Sequence, residues 1–374
     1  MSLTVCLAAN TLSYPEGGGH LWVYLNWALG LQALGCRVIW LETVEPDRPA
    51  LEVQALVTSL KSRLQGYGFA ECVALCPTTG SRLAEGAAEG CLENPDADLL
   101  LNLQYGLHRD VVRRFRRSAL IDIDPGLLQI WWSDGLIDVA EYNIYFTIGE
   151  TVGRPGARFP DAGRQWHYTP PCVALSAWPA CPAPTGAPFT TVSHWYEDEW
   201  VEDEVGYYRN DKRSGFEPFL DLPRHTAQPL ELALCLADDE QDDRRMLEDR
   251  GWRVRHAYSV TSTPGAYQRY IQEARGEFSC VKPSCVRLAN AWVSDRSLCY
   301  LASGKPVVCE HTGPSRILPD ADGFFRFRNL DEAAHCLETA AADYDRHSRQ
   351  ARALAEEFFD ARKVAKRVLE RALA

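Results

Sequence analysis

Three consecutive glycines stand in front of a long apolar helix pattern near the start of the chain, in YPEGGGHLWVYLNWALGLQALG (14–35). Backbone N–H groups at a helix N-terminus, together with the helix dipole, favour an anion or a polar sugar oxygen. Gly18, Gly19 and His20 are therefore candidates for contacting a phosphate or a sugar, whereas a tight turn alone accounts for Gly17. A plain connection between a strand and a helix is the alternative.

A dinucleotide-binding loop is a second interpretation of these glycines, because Glu42 ends the next strand pattern where a ribose-binding acid would stand. The spacing does not support it. Trp22 occupies the place of the third glycine of G-x-G-x-x-G, and the loop lies too far from the preceding strand for a tight turn. We therefore expect neither a nicotinamide nor a flavin cofactor.

Two carboxylates follow a strand pattern in IDIDPGLLQIWW (121–132), where Asp122 and Asp124 are two residues apart. Such side chains share one face of a strand, and a carboxylate at a strand's carboxyl end suits a general base or an acceptor contact. We predict Asp122 as the base, with Asp124 and Trp131 contacting the acceptor. Turn capping before Pro125 is the alternative for Asp124, and core packing is the alternative for Trp131.

A second helix N-terminus is predicted in SDRSLCYLASGKPVV (294–308), with Ser294 as its N-cap and Arg296 in its first turn. A Gly-Lys-Pro turn then leads into a strand. This helix end offers a further place for an anion.

Strand and helix patterns alternate along the whole chain and must position these residues. The alternation predicts an α/β protein with two Rossmann-like domains facing a cleft, each with a parallel sheet covered on both faces. A proline-rich stretch (170–188) marks the hinge between them. The domains are expected at 1–178 and 179–345, with C-terminal helices (346–374) crossing back to the first domain. Strands are predicted at 3–9, 37–42, 70–75, 98–103, 118–123, 189–195, 230–237, 251–258, 277–285 and 305–311, and helices at 21–34 and 50–65.

Composition narrows the class of partner. The 374 residues carry a formal charge of −12, which argues against nucleic acid as the main partner. The N-terminus lacks a basic region before its apolar stretch, and no window is long and apolar enough to span a membrane. Thirteen cysteines without a CxxC pair indicate reduced thiols. We expect a cytoplasmic protein.

The glycine-helix pattern near the start and YLASGKPVV followed by TG near the end resemble the two-domain GT-B glycosyltransferases, which use sugar nucleotides. IDIDPGLLQIWW, FTIGE, FTTVSHW, WVSDRSLCYLASGKPVVCEHTG and LAEEFFD are similar to a group of bacterial glycosyltransferase-like proteins. The resemblance implies transfer of a hexose from a nucleotide sugar, such as a UDP or dTDP sugar, to a small-molecule or glycan acceptor. It implies no cofactor besides the donor and no metal, and it makes His108, in a cleft-lining region, a second catalytic candidate.

The resemblance also implies a donor site in the second domain. Related enzymes clamp the pyrophosphate with an arginine and a lysine, which YYRNDKRSGFEPFLDL (207–222) resembles, although a solvated basic turn is the alternative. Retaining members carry two glutamates eight residues apart, where this chain has Ala291 and Cys299. The residues expected at the donor site are Arg209, Lys212, Lys282, Ser294, Asp295, Arg296, Glu310, Thr312 and Gly313, and Arg213 is a further candidate.

Several functions remain open at this point. A sugar-nucleotide epimerase or hydrolase would use the same fold, and the missing glutamates suit a catalytically silent sugar-nucleotide binding protein. Retention or inversion is undecided, although Asp122 as base would favour inversion. The acidic run YEDEWVEDE (196–204) is expected to be a solvated loop, with recognition of a cationic acceptor such as an amino sugar as the alternative.

Overall fold

The computed structural model describes residues 3–79, 96–203, 206–237, 240–318, 320 and 322–374. The chain divides into two compact units: unit 1 comprises Met1–Ala174 with Asp360–Ala374, and unit 2 comprises Leu175–Phe359. The sequence placed the first boundary after residue 178 and the return of the chain at residue 346. In the structure the C-terminal segment therefore joins unit 1 fourteen residues later than expected, at Asp360.

Unit 1 is built on a seven-stranded sheet whose described neighbours are all parallel. Its strands are β1 (Thr4–Ala9), β2 (Arg37–Val44), β3 (Val73–Pro77), β4 (Leu99–Asn102), β5 (Ser118–Asp122), β6 (Ile144–Thr147) and β7 (Trp166–Tyr168). They lie in the order β3-β2-β1-β4-β5-β6-β7, so the order reverses between β1 and β4.

The helices of unit 1 include the last helix of the chain. They are α1 (Gly18–Ala33), α2 (Ala50–Gln65), α3 (Arg109–Val112), α4 (Leu127–Ser133) and α13 (Ala361–Leu373). α13 packs against α1 at Gly30, where an added Cβ would lie 2.7 Å from the carbonyl oxygen of Ala361. This close approach explains a glycine in the interior of α1, where it costs about 1 kcal/mol relative to alanine.

Unit 2 contains a six-stranded parallel sheet in the order β12-β11-β8-β13-β14-β15 and a separate antiparallel hairpin, β9–β10. The strands are β8 (Phe189–His194), β9 (Trp200–Asp203), β10 (Gly206–Arg209), β11 (Leu230–Cys235), β12 (Arg253–His256), β13 (Gly276–Ser279), β14 (Val307–Glu310) and β15 (Phe324–Phe327). The helices are α5 (Lys212–Phe216), α6 (Gln241–Asp249), α7 (Ala257–Thr261), α8 (Pro264–Glu273), α9 (Pro283–Arg287), α10 (Asp295–Ala302), α11 (Leu330–Ala342) and α12 (Tyr344–Leu354).

Both sheets follow one topology, because the unit 2 strands taken in chain order also run 3-2-1-4-5-6. In such sheets ligands bind beyond the carboxyl ends of the strands, where the order reverses. Those points lie between β1 and β4 in unit 1, and between β8 and β13 in unit 2. The predicted α/β class with two Rossmann-like parallel sheets is confirmed.

The described parts of the chain contain no helix that is both long and apolar enough to cross a membrane. The described cysteines are free thiols. The core of unit 2 is rich in aromatic rings. Phe278 of β13 and Phe327 of β15, both in the carboxyl half of their strands, stack with their ring centroids 5.3 Å apart. This packing fixes the strand ends from which the candidate residues project.

Candidate functional site

Lys212 lies where the strand order of the unit 2 sheet reverses. As the first residue of α5, it donates from Nζ to the carbonyl oxygen of Cys280, just after β13, at 2.7 Å. Burial, followed by the positive charges of Arg296 and Lys282, lowers the pKa of Lys212 to about 8. Within the described ranges no carboxylate is within ion-pair distance of this amino group, although its positive charge opposes the rise in the pKa of Glu310 that burial causes. The amino group can therefore still form an ion pair with an anion.

Lys282, the predicted donor contact at the start of α9, is already neutralised. Its Nζ donates to the carboxylates of Glu197 and Glu199, the latter at 2.8 Å. Burial alone would lower the pKa of Lys282, but these two bonds raise it above its usual value. A phosphate at Lys282 would have to displace two carboxylates.

Arg296, in the first turn of α10, connects two strands of the sheet through its hydrogen bonds. Its Nε donates to the Glu277 carboxylate of β13 at 2.7 Å, and its Nη1 donates to the carbonyl oxygen of Val192 in β8 at 2.8 Å. The Arg296 side chain is 13% exposed and Glu277 is fully buried. This geometry favours a structural role over the predicted donor contact.

Ser294 is the N-cap of α10, as predicted, and its Oγ accepts a hydrogen bond from the N–H of Arg296. Asp295 is the first residue of that helix. Glu310, at the end of β14, accepts a bond from the N–H of Val281 at 3.0 Å. Burial raises the pKa of Glu310 to about 7. Glu310 thereby holds the loop that carries Lys282.

Thr312 and Gly313 form a turn against the loop that precedes α10. Thr312 donates from Oγ1 to the carbonyl oxygen of Trp292 at 2.7 Å, and its own carbonyl accepts from the N–H of Ala291. Gly313 has a φ of +127°, and an added Cβ would lie 2.6 Å from the carbonyl oxygen of Ala289. Only glycine fits this close approach.

The two positions at which the resemblance implies glutamates in retaining enzymes are buried in this chain. Ala291 and Cys299 are 4% and 1% exposed, and the Cys299 thiol points to the carbonyl of Asp295 within α10. Ala289 and Ala291 also adopt left-handed φ angles of +51° and +56°. Such conformations are strained for a residue with a Cβ. The loop before α10 is thus tightly constrained, and it carries no carboxylate at these two positions.

The other predicted basic residues of unit 2 have partners of their own. Arg213 forms an ion pair with Asp243. The Arg209 guanidinium lies over the rings of Tyr196 and Trp200, at 5.1 Å and 5.2 Å from their centroids. Of the predicted cations, Lys212, Lys282 and Arg296 therefore lie near one another, whereas Arg209 belongs to an aromatic stack.

In unit 1, Asp122 is enclosed at the end of β5. Its carboxylate accepts bonds from Gln129 Nε2 at 2.8 Å, Thr147 Oγ1 at 2.7 Å and the N–H of Asp124 at 2.9 Å. The side chain is fully buried, and burial raises its pKa to about 7. These contacts tie the loop after β5 to β6. The geometry does not support the predicted role as a base, because an acceptor cannot reach the carboxylate.

Asp124 lies beyond β5, so it does not share a strand face with Asp122 as the spacing predicted. Tyr105, after β4, donates its hydroxyl to the Asp124 carboxylate. The Tyr105 ring lies 6.4 Å from that of Trp131. Burial, followed by the Asp124 charge, raises the pKa of Tyr105. Tyr105 was not predicted from the sequence, although a polar aromatic residue after the neighbouring strand was a usable signal.

The glycines at the start of α1 belong to the helix, which begins three residues earlier than predicted. Gly18, Gly19 and His20 form its first turn. His20 Nε2 lies 2.8 Å from the carbonyl oxygen of Asn10, and its ring is 4.6 Å from that of Tyr14. The N-terminal N–H groups of such a turn have no partner within the helix.

Two further polar residues of unit 1 have structural partners. Glu42 is fully buried and accepts bonds from Thr11, Leu12 and Trp40, so it anchors the loop after β1 and leaves no free acceptor for a ribose. His108 is the N-cap of α3, where its Nδ1 accepts from the N–H of Asp110 at 3.3 Å. The described residues contain no group of three or more His, Cys, Asp or Glu side chains arranged to hold a metal ion.

No family model and no curated protein sequence matches the chain. Solved structures match it over their full length. Sucrose-phosphate synthase from Thermosynechococcus elongatus is 10% identical with a TM-score of 0.56, and HepE from Anabaena, in complex with UDP and glucose, is 11% identical with a TM-score of 0.57. In both comparisons the match covers 99% of each chain. An alpha-glucosyltransferase in complex with UDP and mismatched DNA is 9% identical, with a TM-score of 0.61 and 100% coverage of both chains. The chain therefore has the GT-B fold of these glycosyltransferases.

Proposed function

We propose that the protein transfers a hexosyl group from a nucleoside-diphosphate sugar to a small-molecule or glycan acceptor. The observation that carries this proposal is Lys212, a cation without a carboxylate partner at the carboxyl edge of the unit 2 sheet. The fold supports it, since solved neighbours include complexes with UDP and with UDP-glucose. No cofactor besides the donor is required.

Lys212 would act on the leaving group. When the bond between the sugar carbon and the diphosphate oxygen breaks, negative charge develops on that oxygen, and a fixed ammonium group stabilises it. Burial lowers the pKa of Lys212 most, and neighbouring positive charges contribute, so an incoming diphosphate would relieve their repulsion. The N-terminus of α10, capped by Ser294, is the second proposed contact.

The acceptor would use the carboxyl edge of the unit 1 sheet. Asp124 and Tyr105 form a hydrogen-bonded pair beside the Trp131 ring, and a sugar hydroxyl could donate to the carboxylate while its ring stacks on the indole. Asp124 replaces Asp122 as the proposed acceptor-orienting acid. The charge of −12 argues against a nucleic-acid acceptor, although the alpha-glucosyltransferase neighbour was solved with DNA.

A catalytically silent sugar-nucleotide binding protein is the second candidate. Ala291 and Cys299 favour it, because both positions are buried and neither supplies the carboxylate that retaining members have there. This candidate shares the Lys212 site with the first. The two differ only in whether a nucleoside diphosphate is released.

A thermal-shift screen with UDP-, GDP-, dTDP- and CMP-linked sugars tests the shared site. We expect one nucleotide class to raise the melting temperature of the wild type and of Lys366→Met, an exposed lysine of α13, but not of Lys212→Met. Absence of any shift, or an equal shift in Lys212→Met, would refute the site. Release of the diphosphate with and without an acceptor mixture then separates transfer, hydrolysis and silent binding.

A further inference from the structure

The acidic run that sequence analysis interpreted as a solvated loop leads into the hairpin β9–β10, and its side chains alternate. The inward residues are anchored: Glu197 and Glu199 hold Lys282, and Val201 is 3% exposed. The next inward residue, Asp203, forms a two-point ion pair with Arg287 of α9, at 2.7 Å for both bonds.

These inward contacts fix the hairpin to the segment that follows β13. The Arg287 guanidinium also lies 4.0 Å from the centre of the Tyr208 ring. Asn210 donates to Glu199 and accepts a bond from the N–H of Ser284 in α9. The hairpin is therefore a rigid part of unit 2 beside the proposed donor site, since Lys282 and α9 belong to that edge of the sheet.

The outward residues expose aromatic rings. Tyr196 is 43% exposed, Trp200 52% and Tyr207 72%. All eleven tryptophans of the chain lie in its described parts, and Trp200 is the most exposed of them. Large aromatic rings left in water on a rigid element point to a ligand or a partner.

The rings are held in place before any ligand arrives. The guanidinium of Arg209 lies over the rings of Tyr196 and Trp200, at 5.1 Å and 5.2 Å from their centroids. The indole Nε1 of Trp200 donates to Asp198 at 3.2 Å. Arg209 pairs directly with Trp200 across the hairpin. Fixed rings lose little conformational entropy when a ligand binds.

We propose that this outward face, formed by Tyr196, Asp198, Trp200, Glu202 and Tyr207, binds a pyranose ring of a neutral or amino-sugar acceptor. The apolar face of a pyranose ring stacks on an aromatic ring, and carboxylates accept bonds from the sugar hydroxyls. The outward Asp198 and Glu202 outnumber Arg209 on this face, so they disfavour phosphates and acidic sugars. This balance argues against nucleic acid and favours an uncharged or cationic sugar.

The hairpin that carries this face adjoins the proposed donor site through its inward residues, which favours a glycan over a protein partner. The rings are also separated by carboxylates, which is typical of a small polar ligand's site and not of a continuous apolar interface. This inference rests on the proposed glycosyl transfer, since the sugar would be part of the acceptor.

The test is an array of neutral, amino and sialylated oligosaccharides probed with the full chain. We expect the wild type to bind neutral or amino glycans, Trp200→Ala and Tyr207→Ala to weaken binding at least tenfold, and Trp200→Phe to retain most of it. The matched control is Tyr258→Ala, which removes a ring that is 42% exposed on α7 and should change nothing.

Failure to bind any glycan, preference for sialylated glycans, or equal binding by Trp200→Ala would overturn the inference. A face that binds a protein in place of a glycan would give the first of these results, the absence of glycan binding. The thermal shift with the nucleotide class that binds the wild type is measured on the same variants. An intact shift with no glycan binding refutes this face alone, whereas the absence of a shift with every nucleotide sugar in the wild type refutes the proposed function.

Discussion

Replacing Arg296 by alanine separates a structural role from a ligand-binding role for this buried cation. In the structure Arg296 bridges β8 and β13 through Val192 and Glu277. Its removal leaves the Glu277 carboxylate buried without its cation. The Oε2 atom of Glu277 already has no hydrogen-bond partner among the described residues, so no neighbouring donor there compensates the carboxylate for the loss of Arg296.

The expected cost follows from these contacts. Each hydrogen bond to a charged group contributes about 1.5–3 kcal/mol, so two lost bonds amount to about 3–6 kcal/mol. Breaking a buried ion pair typically costs about 3–5 kcal/mol. We therefore expect Arg296→Ala to lower the free energy of unfolding by about 3–5 kcal/mol. The double variant Arg296→Met with Glu277→Leu should recover most of that loss, because no charge remains buried.

The assay is urea unfolding, in which the midpoint and the slope of the transition are compared among variants. Arg255→Ala is the matched control, since Arg255 is 52% exposed and lies 4.0 Å from Glu231, and it should change the free energy by less than about 1 kcal/mol. If Arg296→Ala is as stable as this control and has lost its UDP-induced thermal shift, Arg296 is a donor contact and the structural reasoning is wrong.

Three further predictions concern buried ionisable groups. Because burial raises the pKa of Asp122 to about 7, the folded state binds its proton more tightly than the unfolded state. Its contribution to stability therefore falls between about pH 4 and pH 7, by at most about 1.4 kcal/mol per pH unit. Asp122→Asn should flatten the urea midpoint over that range, and an unchanged slope would contradict this. Because burial lowers the pKa of Lys212 to about 8, UDP affinity should decline above pH 8 in calorimetric titrations. Lys212→Arg, which stays charged, should lose that decline, and an equal decline in both proteins would exclude Lys212. Lys305 is fully buried, and its Nζ forms no hydrogen bond among the described residues. Burial lowers the pKa of Lys305, and the nearby Cys181 thiol opposes this lowering. Lys305→Met should stabilise unit 2 by about 1–3 kcal/mol in urea unfolding at pH 7, and a loss of stability would show that the amine has a partner.

The sequence predicted the elements that have a local cause. Apolar runs identified β1 and β8, and the helix pattern at 50–65 matches α2 in both bounds. Two of the short strands that the sequence did not predict are β7 and β15. β7 has only three residues, and in β15 Arg326 interrupts the apolar pattern. Their pairing with neighbouring strands, and not their composition, makes them strands.

The site was harder to predict because its partners are distant in sequence. Lys282 and its carboxylate Glu197 are 85 residues apart, and Arg296 and Val192 are 104 apart. The sequence therefore predicted a solvated acidic run and basic residues available to a ligand, whereas the fold of unit 2 brings acidic and basic residues into contact. The alternation of residues 196–203 was visible in the sequence, but only the hairpin shows which half faces inward.

The pairing of charges at the unit 2 edge accounts for the choice of Lys212 over its neighbours. Three cations lie near one another there, and Lys282 and Arg296 form direct ion pairs with carboxylates, whereas Lys212 interacts only at longer range with Glu310. A diphosphate that bound elsewhere at this edge would have to break an ion pair, whereas binding at Lys212 adds a partner to a cation that lacks one. The cost of breaking existing pairs therefore directs an anion to Lys212, and a donor site built on Lys282 or Arg296 would be the weaker alternative.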